Sequence, residues 1–454
     1  MQASWMASIA LAMIGLTACE PHEVPRKIEK APATEPAVAP VAAAKVADTD
    51  PIARNANRMV TEGREIFRHD TFGSEAFWGG ALRLHQAIAG STHGGVGPGL
   101  SPKAALGVGL KVDVDKLPDS LVAALKAGKV DLDDVGNTIA LLQADAVVGI
   151  KGVFANGRLT SVGITCAFCH SNVDDSLAPG IGKRLDGWAN RDLDVGAVIA
   201  LAPELTPVIA LLGVDDGTLH KVLASWGPGK FDAQMFLDRK GFRPDGRTAA
   251  TLIPPAFGLA GVNMSTSTGW GSITYWNAFV ANLEMHGKGT FYDPRLDDAR
   301  RYPVAVKARS GHVATTEDQV TAKLAALQFY QLAIPAPTPP ASSFDAAAAA
   351  RGQTIFLGAG KCATCHVPPL YTEPGYNMHA PADIGIDEFQ SNRSPEKRYR
   401  TAPLKGLFAH QKGGFYHDGR FAKLDDVVKH YDDTLALSLT ADQQHDLVEY
   451  LKSL

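Results

Sequence analysis

Apolar side chains recur at helical spacing in the parts of this chain that have a clear pattern. The C-terminal segment follows Thr440, a residue type that favours the start of a helix, and its apolar positions share one face: Leu447, Val448, Leu451 and Leu454. A second segment follows Asp345 and stops before Gly358, which again fits the two ends of a helix. Apolar and polar residues do not alternate over any long stretch. The pattern therefore predicts a mostly α-helical protein in which these two helices pack on each other.

Proline-rich segments divide the chain into parts. Residues 334–340 read IPAPTPP, with four prolines in seven residues, and proline continues neither a helix nor a strand. We predict a linker at residues 335–343 between an N-terminal domain at 54–334 and a C-terminal domain at 344–454. Residues 19–53 are rich in alanine and proline and poor in aromatic residues, which predicts a tether rather than a folded core.

The N-terminus has the pattern of an export signal. Residues 5–16 read WMASIALAMIGL, an apolar run too short to span a bilayer. The residues LTAC that follow resemble a bacterial lipobox, whose cysteine becomes the lipidated first residue of the mature protein. We therefore expect a signal peptide at residues 1–18 and lipidation at Cys19, with a plain secretory peptide as the alternative. Because Glu20 follows the cysteine, the expected location is the periplasmic side of the outer membrane, with the lipid as anchor.

The charge composition gives no sign of a nucleic-acid partner. The 454 residues carry 44 basic and 48 acidic side chains, for a net charge of -4, and neither sign forms a block. Hydrophobic residues make up 45% of the chain, as is ordinary for a globular protein. We expect no nucleic acid among the partners.

Four of the five cysteines lie in two short motifs. CAFCH spans Cys166 to His170, CATCH spans Cys362 to His366, and Cys19 is the fifth cysteine. Two cysteines spaced by two residues reach both vinyl groups of one haem, and the adjacent histidine reaches its iron. A zinc site would need further cysteines or histidines at matched spacing. We therefore predict two covalently bound haem c groups, attached through Cys166, Cys169, Cys362 and Cys365 and ligated by His170 and His366.

The second iron ligand decides what each haem does. A haem closed on both faces carries electrons, whereas a haem with one open face can bind oxygen or peroxide. Beyond CATCH the candidates are one methionine and five histidines: Met378, His379, His410, His417, His430 and His445. His430 lies on a helix predicted to begin near Leu424, at the distance where such domains bring their second ligand, and Tyr431 beside it stays open as an alternative. CAFCH has no comparable partner, so the chemistry is expected at its haem.

The stretch from Tyr399 to Asp432, YRTAPLKGLFAHQKGGFYHDGRFAKLDDVVKHYD, resembles the C-terminal signature of the bacterial di-haem cytochrome c peroxidase and MauG superfamily. Members carry Pro-x-Leu-Lys/Arg-Gly/Asn, then Phe/Tyr-His-Asp-Gly, then a helix that provides a haem ligand. The resemblance implies two cytochrome c-type haem domains, the N-terminal one enlarged by loops and extra helices. The ligand on this helix is Met in the peroxidases and Tyr in the enzyme that matures tryptophan tryptophylquinone, whereas this chain has His430 and Tyr431.

A narrower resemblance points to the di-haem rubber oxygenases, which close their C-terminal haem with two histidines. It rests on SWGPGKFDA at residues 225–233, on TYWNAFVANLEMHGKGTF at residues 274–291, and on the long segment between the two haem motifs. The resemblance implies that Trp276 lies between the two haems, with Tyr275 beside it. It also implies that Phe291 is the apolar group over the open face of the N-terminal haem. Related enzymes hold a structural calcium ion between the domains, and whether this chain binds one stays open.

Three functions stay open at this point. The first is dioxygenation of an apolar organic molecule by oxygen, as in the rubber oxygenases. The second is reduction of hydrogen peroxide with electrons from a small cytochrome c, for which Glu284 and His286 are the nearest acid–base candidates. The third is electron transfer alone, in which both haems are closed and the protein is a membrane-tethered relay.

Overall fold

The computed structural model describes residues 50–410 and 412–454. Cys19, the expected signal peptide and almost all of the expected tether lie outside these residues. The α-helices, numbered α1 to α17, are Pro51–His69, Leu84–Ala89, Pro102–Gly107, Asp119–Lys126, Val135–Gln143, Ala167–His170, Val195–Ala200, Thr206–Leu212, Asp216–Trp226, Met235–Asp238, Ile273–Phe279, Pro303–Ala308, Leu324–Ala333, Ala346–Leu357, Phe389–Asn392, Leu424–Leu435 and Ala441–Lys452. The strands, β1 to β12, are Val112–Asp113, Ile150–Ala155, Arg158–Ile164, Ser171–Val173, Ile181–Gly182, Arg184–Asp186, Lys230–Phe231, Thr251–Leu252, Thr290–Tyr292, His312–Ala314, Met378–His379 and Tyr399–Arg400.

Helices dominate the described residues, as the sequence predicts, and the strands join only in two-stranded sheets. The first long helix, α1, begins after Asp50, whose carboxylate accepts a hydrogen bond from the Ile52 amide at 2.9 Å. Its Gly63 lies against α13, where a Cβ atom would stand only 2.1 Å from the Ala326 carbonyl oxygen. The absence of a side chain at Gly63 therefore permits this close packing.

The predicted pair of C-terminal helices is confirmed. Asp345 caps α14 by accepting hydrogen bonds from two backbone amides, and Thr440 caps α17 by accepting one from Gln443. The two helices touch at Gly352, where a Cβ atom would lie 2.0 Å from the Asp446 carbonyl oxygen. Helix α16 begins at Leu424, as its sequence predicts.

The pattern of apolar residues does not predict the hairpin of β2 and β3. Its strands pair antiparallel, with an irregularity after Val153, and they are joined at Asn156 and Gly157, which both have positive φ. Asn-Gly is a strong signal for such a two-residue turn. The alternation expected of a half-exposed strand fails because residues 162–164 are buried on both faces of β3.

The buried side chains form two main cores along the chain. The larger runs from Phe67 to Tyr330, and a second, built largely from α14, α16 and α17, runs from Phe356 to Leu451. In the sequence, the first core precedes residues 335–343 and the second follows them, although the described residues form one compact unit. The domain boundaries therefore stay a prediction. Within residues 50–410 and 412–454, no helix has the length and apolar content needed to cross a bilayer.

Candidate haem sites

CAFCH forms the short helix α6, which is held against the end of the β2–β3 hairpin. Gly149, with φ of 82°, lies directly on Phe168, and a Cβ atom there would stand 2.2 Å from the Phe168 backbone. The Nδ1 atom of His170 lies 3.0 Å from the carbonyl oxygen of Pro254. This contact fixes the proton on Nδ1 and leaves Nε2 as the ligand atom for a metal.

CATCH has the same arrangement without a full helix. Residues Cys362–Thr364 form a 3-10 turn, and Nδ1 of His366 lies 3.2 Å from the carbonyl oxygen of Tyr371. Each proximal histidine thus has one nitrogen committed to a backbone carbonyl and the other available to iron.

The four motif cysteines form no disulfide, so their thiols are free for thioether attachment to a haem. Burial raises the pKa of the Cys166, Cys169 and Cys362 thiols to about 12. These three thiols are therefore protonated at neutral pH.

The residues present fit a haem at each motif. Each motif offers two thiols and one histidine whose Nε2 atom is available to iron. Buried polar atoms without a hydrogen-bond partner occur as well, at Glu284, His410 Nε2 and His417 Nε2, and such atoms indicate that a polar or metal-bearing group belongs nearby.

A calcium site has no such support in the residues that the structure describes. The one group of His, Cys, Asp or Glu atoms there that lies close enough to hold a metal is Cys365, Glu373 and His379. Calcium prefers an all-oxygen set of ligands, and Cys365 belongs to a haem motif. Whether this chain binds a calcium ion stays open.

Two π-helical turns, at Ala76–Ala81 and Val280–Glu284, meet beside CAFCH. Trp78 Nε1 donates a hydrogen bond to the Met285 carbonyl oxygen at 3.2 Å, and the rings of Phe77 and His286 stack with centroids 3.7 Å apart. π-Helical turns are rare and often occur at functional sites. Here they place Glu284 and His286 together, next to the first motif.

Glu284 has an unusual environment for a carboxyl group. Both of its carboxylate oxygens are shielded from solvent and have no hydrogen-bond partner. Burial, with a further contribution from the charge of Asp232, raises the pKa of Glu284 well above its usual range. Burial, followed by the charges of Cys166 and Glu284, raises the pKa of Cys169, so Glu284 interacts electrostatically with CAFCH. Burial lowers the pKa of His286 to about 4, so His286 is neutral at neutral pH.

The predicted aromatic residues Trp276, Tyr275 and Phe291 belong to one cluster. Trp276 stacks on Phe279 with centroids 4.7 Å apart, and Phe291 lies 5.8 Å from Phe279 and 5.5 Å from Tyr275. The Tyr275 hydroxyl donates a hydrogen bond to Asp293, and burial raises its pKa. Their roles at a haem stay predictions.

Helix α11, which carries Trp276, connects the surroundings of the two motifs. The π turn that follows it ends at Glu284, beside CAFCH. At the other end, Trp276 contacts Trp270 with centroids 6.1 Å apart, and the neighbouring Gly269 packs against Met378. Met378 precedes His379, whose ring nitrogen lies within 4.8 Å of the Cys365 sulfur in CATCH.

Helix α16 presents two candidate ligands in different surroundings. His430 Nε2 lies 2.9 Å from the Ile384 carbonyl oxygen, which engages the nitrogen that usually binds iron. Burial raises the pKa of Tyr431, a hydrogen bond with Tyr416 lowers it, and the charges of Cys365 and Cys362 of CATCH raise it further. Because its Nε2 atom is engaged, His430 is the less favoured ligand of the two, and it stays the prediction from sequence.

Sequence reasoning missed Trp188 as an aromatic contact between the two parts of the chain. Trp188 lies 6.2 Å from Phe257 and 5.9 Å from Phe408, measured between ring centroids. The preceding Gly187 amide donates to the His170 carbonyl oxygen at 2.8 Å. The signal in the sequence is weak, because a tryptophan soon after a haem motif is usually a core residue.

Comparisons with known proteins were made for the whole chain. No protein-family model matches it, and no curated protein matches it. Among solved structures, a MauG-like protein associated with microbial copper homeostasis matches with 16% identity and a TM-score of 0.31, over 48% of this chain and 76% of its own. Hydrazine synthase of Kuenenia stuttgartiensis matches with 19% identity and a TM-score of 0.28, over 49% and 86%.

A variant of the diheme peroxidase BthA from Burkholderia thailandensis also matches, with 16% identity and a TM-score of 0.29, over 50% of this chain and 78% of its own. All three similarities cover about half of this chain, so the function is argued from its own residues.

Proposed function

We propose that this protein is a di-haem c-type oxidoreductase that reduces hydrogen peroxide at the CAFCH site and receives electrons at the CATCH site. The observation that carries the proposal is Glu284, a desolvated carboxyl group without a partner, held beside CAFCH by two π-helical turns. A haem, when bound, supplies a redox-active iron, and where one face stays open it supplies a place for peroxide or oxygen.

The residues of the chain would bind the two irons and transfer a proton at the CAFCH site. His170 and His366 would hold the irons through Nε2, because Nδ1 of each is engaged by a carbonyl oxygen. Cleavage of an O–O bond needs a group that takes a proton from one oxygen and returns it to the other. The Glu284 carboxylate can do this, since none of its oxygens is tied to another side chain.

His286 is a weaker proton acceptor than the ionised Glu284 carboxylate. Its pKa is lowered to about 4 by burial, and its ring is stacked on Phe77. A neutral imidazole held in this way is a wall of the site and excludes water, which strengthens electrostatic interactions inside it.

Electrons would enter at CATCH and reach CAFCH through the aromatic residues around α11. Trp270, Trp276 and Phe279 follow one another at ring separations of 6.1 Å and 4.7 Å. The redox partner that suits this role is a small cytochrome c, which would dock near CATCH.

Dioxygenation of an apolar molecule is the second candidate. The aromatic cluster around Phe291, which is only 4% exposed, favours it, because an apolar wall gives bound oxygen no strong proton donor. A desolvated carboxyl group near CAFCH is not needed for that reaction, so the peroxidase takes precedence.

Parallel turnover assays of the haem-loaded protein test the proposal. We expect rapid oxidation of reduced cytochrome c when hydrogen peroxide is added, and no cleavage of polyisoprene in the presence of oxygen. Cleavage of polyisoprene without peroxide turnover would make the protein a dioxygenase. Failure of both reactions would leave electron transfer alone.

A further inference from the structure

An apolar cavity of about 210 Å³ lies in the N-terminal part of the chain, among α3, α4 and α5. Its wall joins two hydrophobic clusters, since Ile88, Leu100 and Leu142 belong to the large core and Val112 and Ile181 to a smaller one. Close packing normally fills the space between such clusters, and voids larger than a water molecule are few in a domain. A void of this size is therefore a candidate site for a ligand.

One polar group in the cavity wall is left without a partner. Thr138, on α5, is 4% exposed, and its hydroxyl oxygen is buried without a hydrogen bond. A threonine within a helix commonly bonds to a backbone carbonyl of the preceding turn, and Thr138 does not. Leaving a buried hydroxyl unpaired costs free energy, so its presence in an apolar wall indicates a ligand that pairs with it.

The other polar side chains of the wall are engaged elsewhere. The ammonium group of Lys111 lies 2.6 Å from the Asp192 carboxylate, and the side-chain amide of Asn137 donates to the Asp131 carbonyl oxygen at 2.7 Å. The ligand would meet hydrocarbon on all sides except at Thr138. A charged molecule is excluded, because nothing in the wall would compensate its desolvation.

We propose that this cavity binds a compact, uncharged, mainly apolar molecule that carries one oxygen able to hydrogen-bond with Thr138. An apolar cavity of roughly 150 Å³ accepts benzene. A cavity somewhat larger than that takes a molecule of roughly eight to ten non-hydrogen atoms, such as a monocyclic phenol.

Helix α4 gives the ligand a way in. It covers one side of the cavity with Leu121 and Leu125, and none of its residues is fully buried. It is bounded by Pro118 and Gly128, whose backbone conformations do not continue a helix. A short helix with little buried area is the wall segment that opens at the lowest cost in free energy.

The cavity is one layer of residues away from the first haem motif. Ile150 lines it, and Gly149 next to it packs on Phe168 of CAFCH. The binding proposal needs no haem chemistry and does not depend on the peroxidase function.

Calorimetric titration of the haem-loaded full chain with p-cresol and with toluene tests the site. We expect p-cresol to bind more tightly than toluene. The variant Thr138→Val should weaken p-cresol binding by roughly two- to tenfold and leave the affinity for toluene unchanged. Thr160→Val, on the exposed side of β3, is the matched control and should change neither. Ala105→Leu, which puts a larger side chain into the cavity from α3, should abolish binding of both probes, and Ala105→Val should weaken it less.

Each other result overturns the proposal. If the wild-type protein binds neither probe, the cavity is not a ligand site. If Ala105→Leu and Ala105→Val bind both probes as the wild type does, binding occurs elsewhere. If Thr138→Val leaves p-cresol binding unchanged, the hydroxyl is not the polar contact. Circular dichroism and the haem absorbance spectrum check that each variant is folded. If Ala105→Leu does not fold, Ala105→Val replaces it in the test.

Discussion

Glu284 leads to a prediction about the pH dependence of turnover. To accept a proton from peroxide the carboxyl group must be ionised, and burial together with Asp232 raises its pKa well above the usual range. The ionised fraction therefore grows only as the pH rises through this raised value. We expect kcat/KM for hydrogen peroxide to increase with pH above the range in which ordinary carboxyl groups have already ionised.

The variant Glu284→Gln keeps the size of the side chain and removes the titration. We expect kcat/KM for peroxide to fall by about a hundredfold or more and the pH-dependent limb to disappear. Glu317→Gln, at an exposed position, is the control and should behave as the wild type. A Glu284→Gln enzyme with normal turnover and an unchanged pH profile would remove Glu284 from the mechanism.

The sequence predicts the roles of some residues well and of others poorly. The cysteines and histidines of CAFCH and CATCH are visible because attachment of one haem requires a fixed local spacing. Glu284 is visible only as an acidic residue near Trp276. Its unusual pKa depends on desolvation beside a π turn, and the bond that joins the two π turns, from Trp78 to Met285, spans 207 positions of the chain.

At the scale of elements, α16 carries two neighbouring candidates for the second ligand of the CATCH haem. Successive positions on a helix point about a quarter-turn or more apart, so His430 and Tyr431 do not meet the same surroundings. Because His430 Nε2 is engaged by the Ile384 carbonyl oxygen, whereas Tyr431 interacts electrostatically with both CATCH cysteines, we expect Tyr431→Phe to convert this haem to a high-spin form.

His430→Ala is the matched variant and should leave the low-spin spectrum in place. Visible and magnetic circular dichroism spectra of the two variants distinguish the ligands. A high-spin spectrum in His430→Ala with a normal spectrum in Tyr431→Phe would establish the histidine predicted from the sequence instead.

The elements that the sequence predicts correctly are helices whose ends are marked by capping residues close by in the chain. Helices α14 and α17 were found because Asp345 and Thr440 cap them, and capping depends on residues only two or three positions away. The hairpin of β2 and β3 was missed because burial on both faces removes the alternation that identifies a strand.

At the scale of the whole molecule, Arg393 connects the C-terminal part of the chain to the N-terminal part. Its guanidinium group is fully buried and pairs with Asp232 at 3.0 Å and with Asp238 at 2.8 Å. We expect Arg393→Met to lower the free energy of unfolding by about 3–5 kcal/mol, because it leaves two buried carboxylates without their counter-ion. Chemical denaturation followed by circular dichroism measures this change.

Arg300→Met is the control for Arg393, because the Arg300 side chain is 95% exposed and its contact with Asp298 is 3.9 Å long. It should change the free energy of unfolding by less than about 0.5 kcal/mol. Equal stabilities of the two variants would show that the buried ion triad does not hold the two parts together.

The ion triad shows why the whole molecule is harder to predict than its motifs. Arg393 is 155 positions from Asp238, and nothing in either local sequence marks the pairing. The linker at residues 335–343 suggests two separate domains, whereas buried contacts of this kind join both parts in one compact unit.

The proposed function requires that the two haems differ, with one open face at CAFCH and none at CATCH. Electron paramagnetic resonance of the oxidised protein, with carbon monoxide added to a reduced sample, tests it most directly. We expect one high-spin and one low-spin ferric signal, and carbon monoxide bound to a single haem. Two low-spin signals and no carbon monoxide complex would show that both haems are closed and that the protein is an electron carrier.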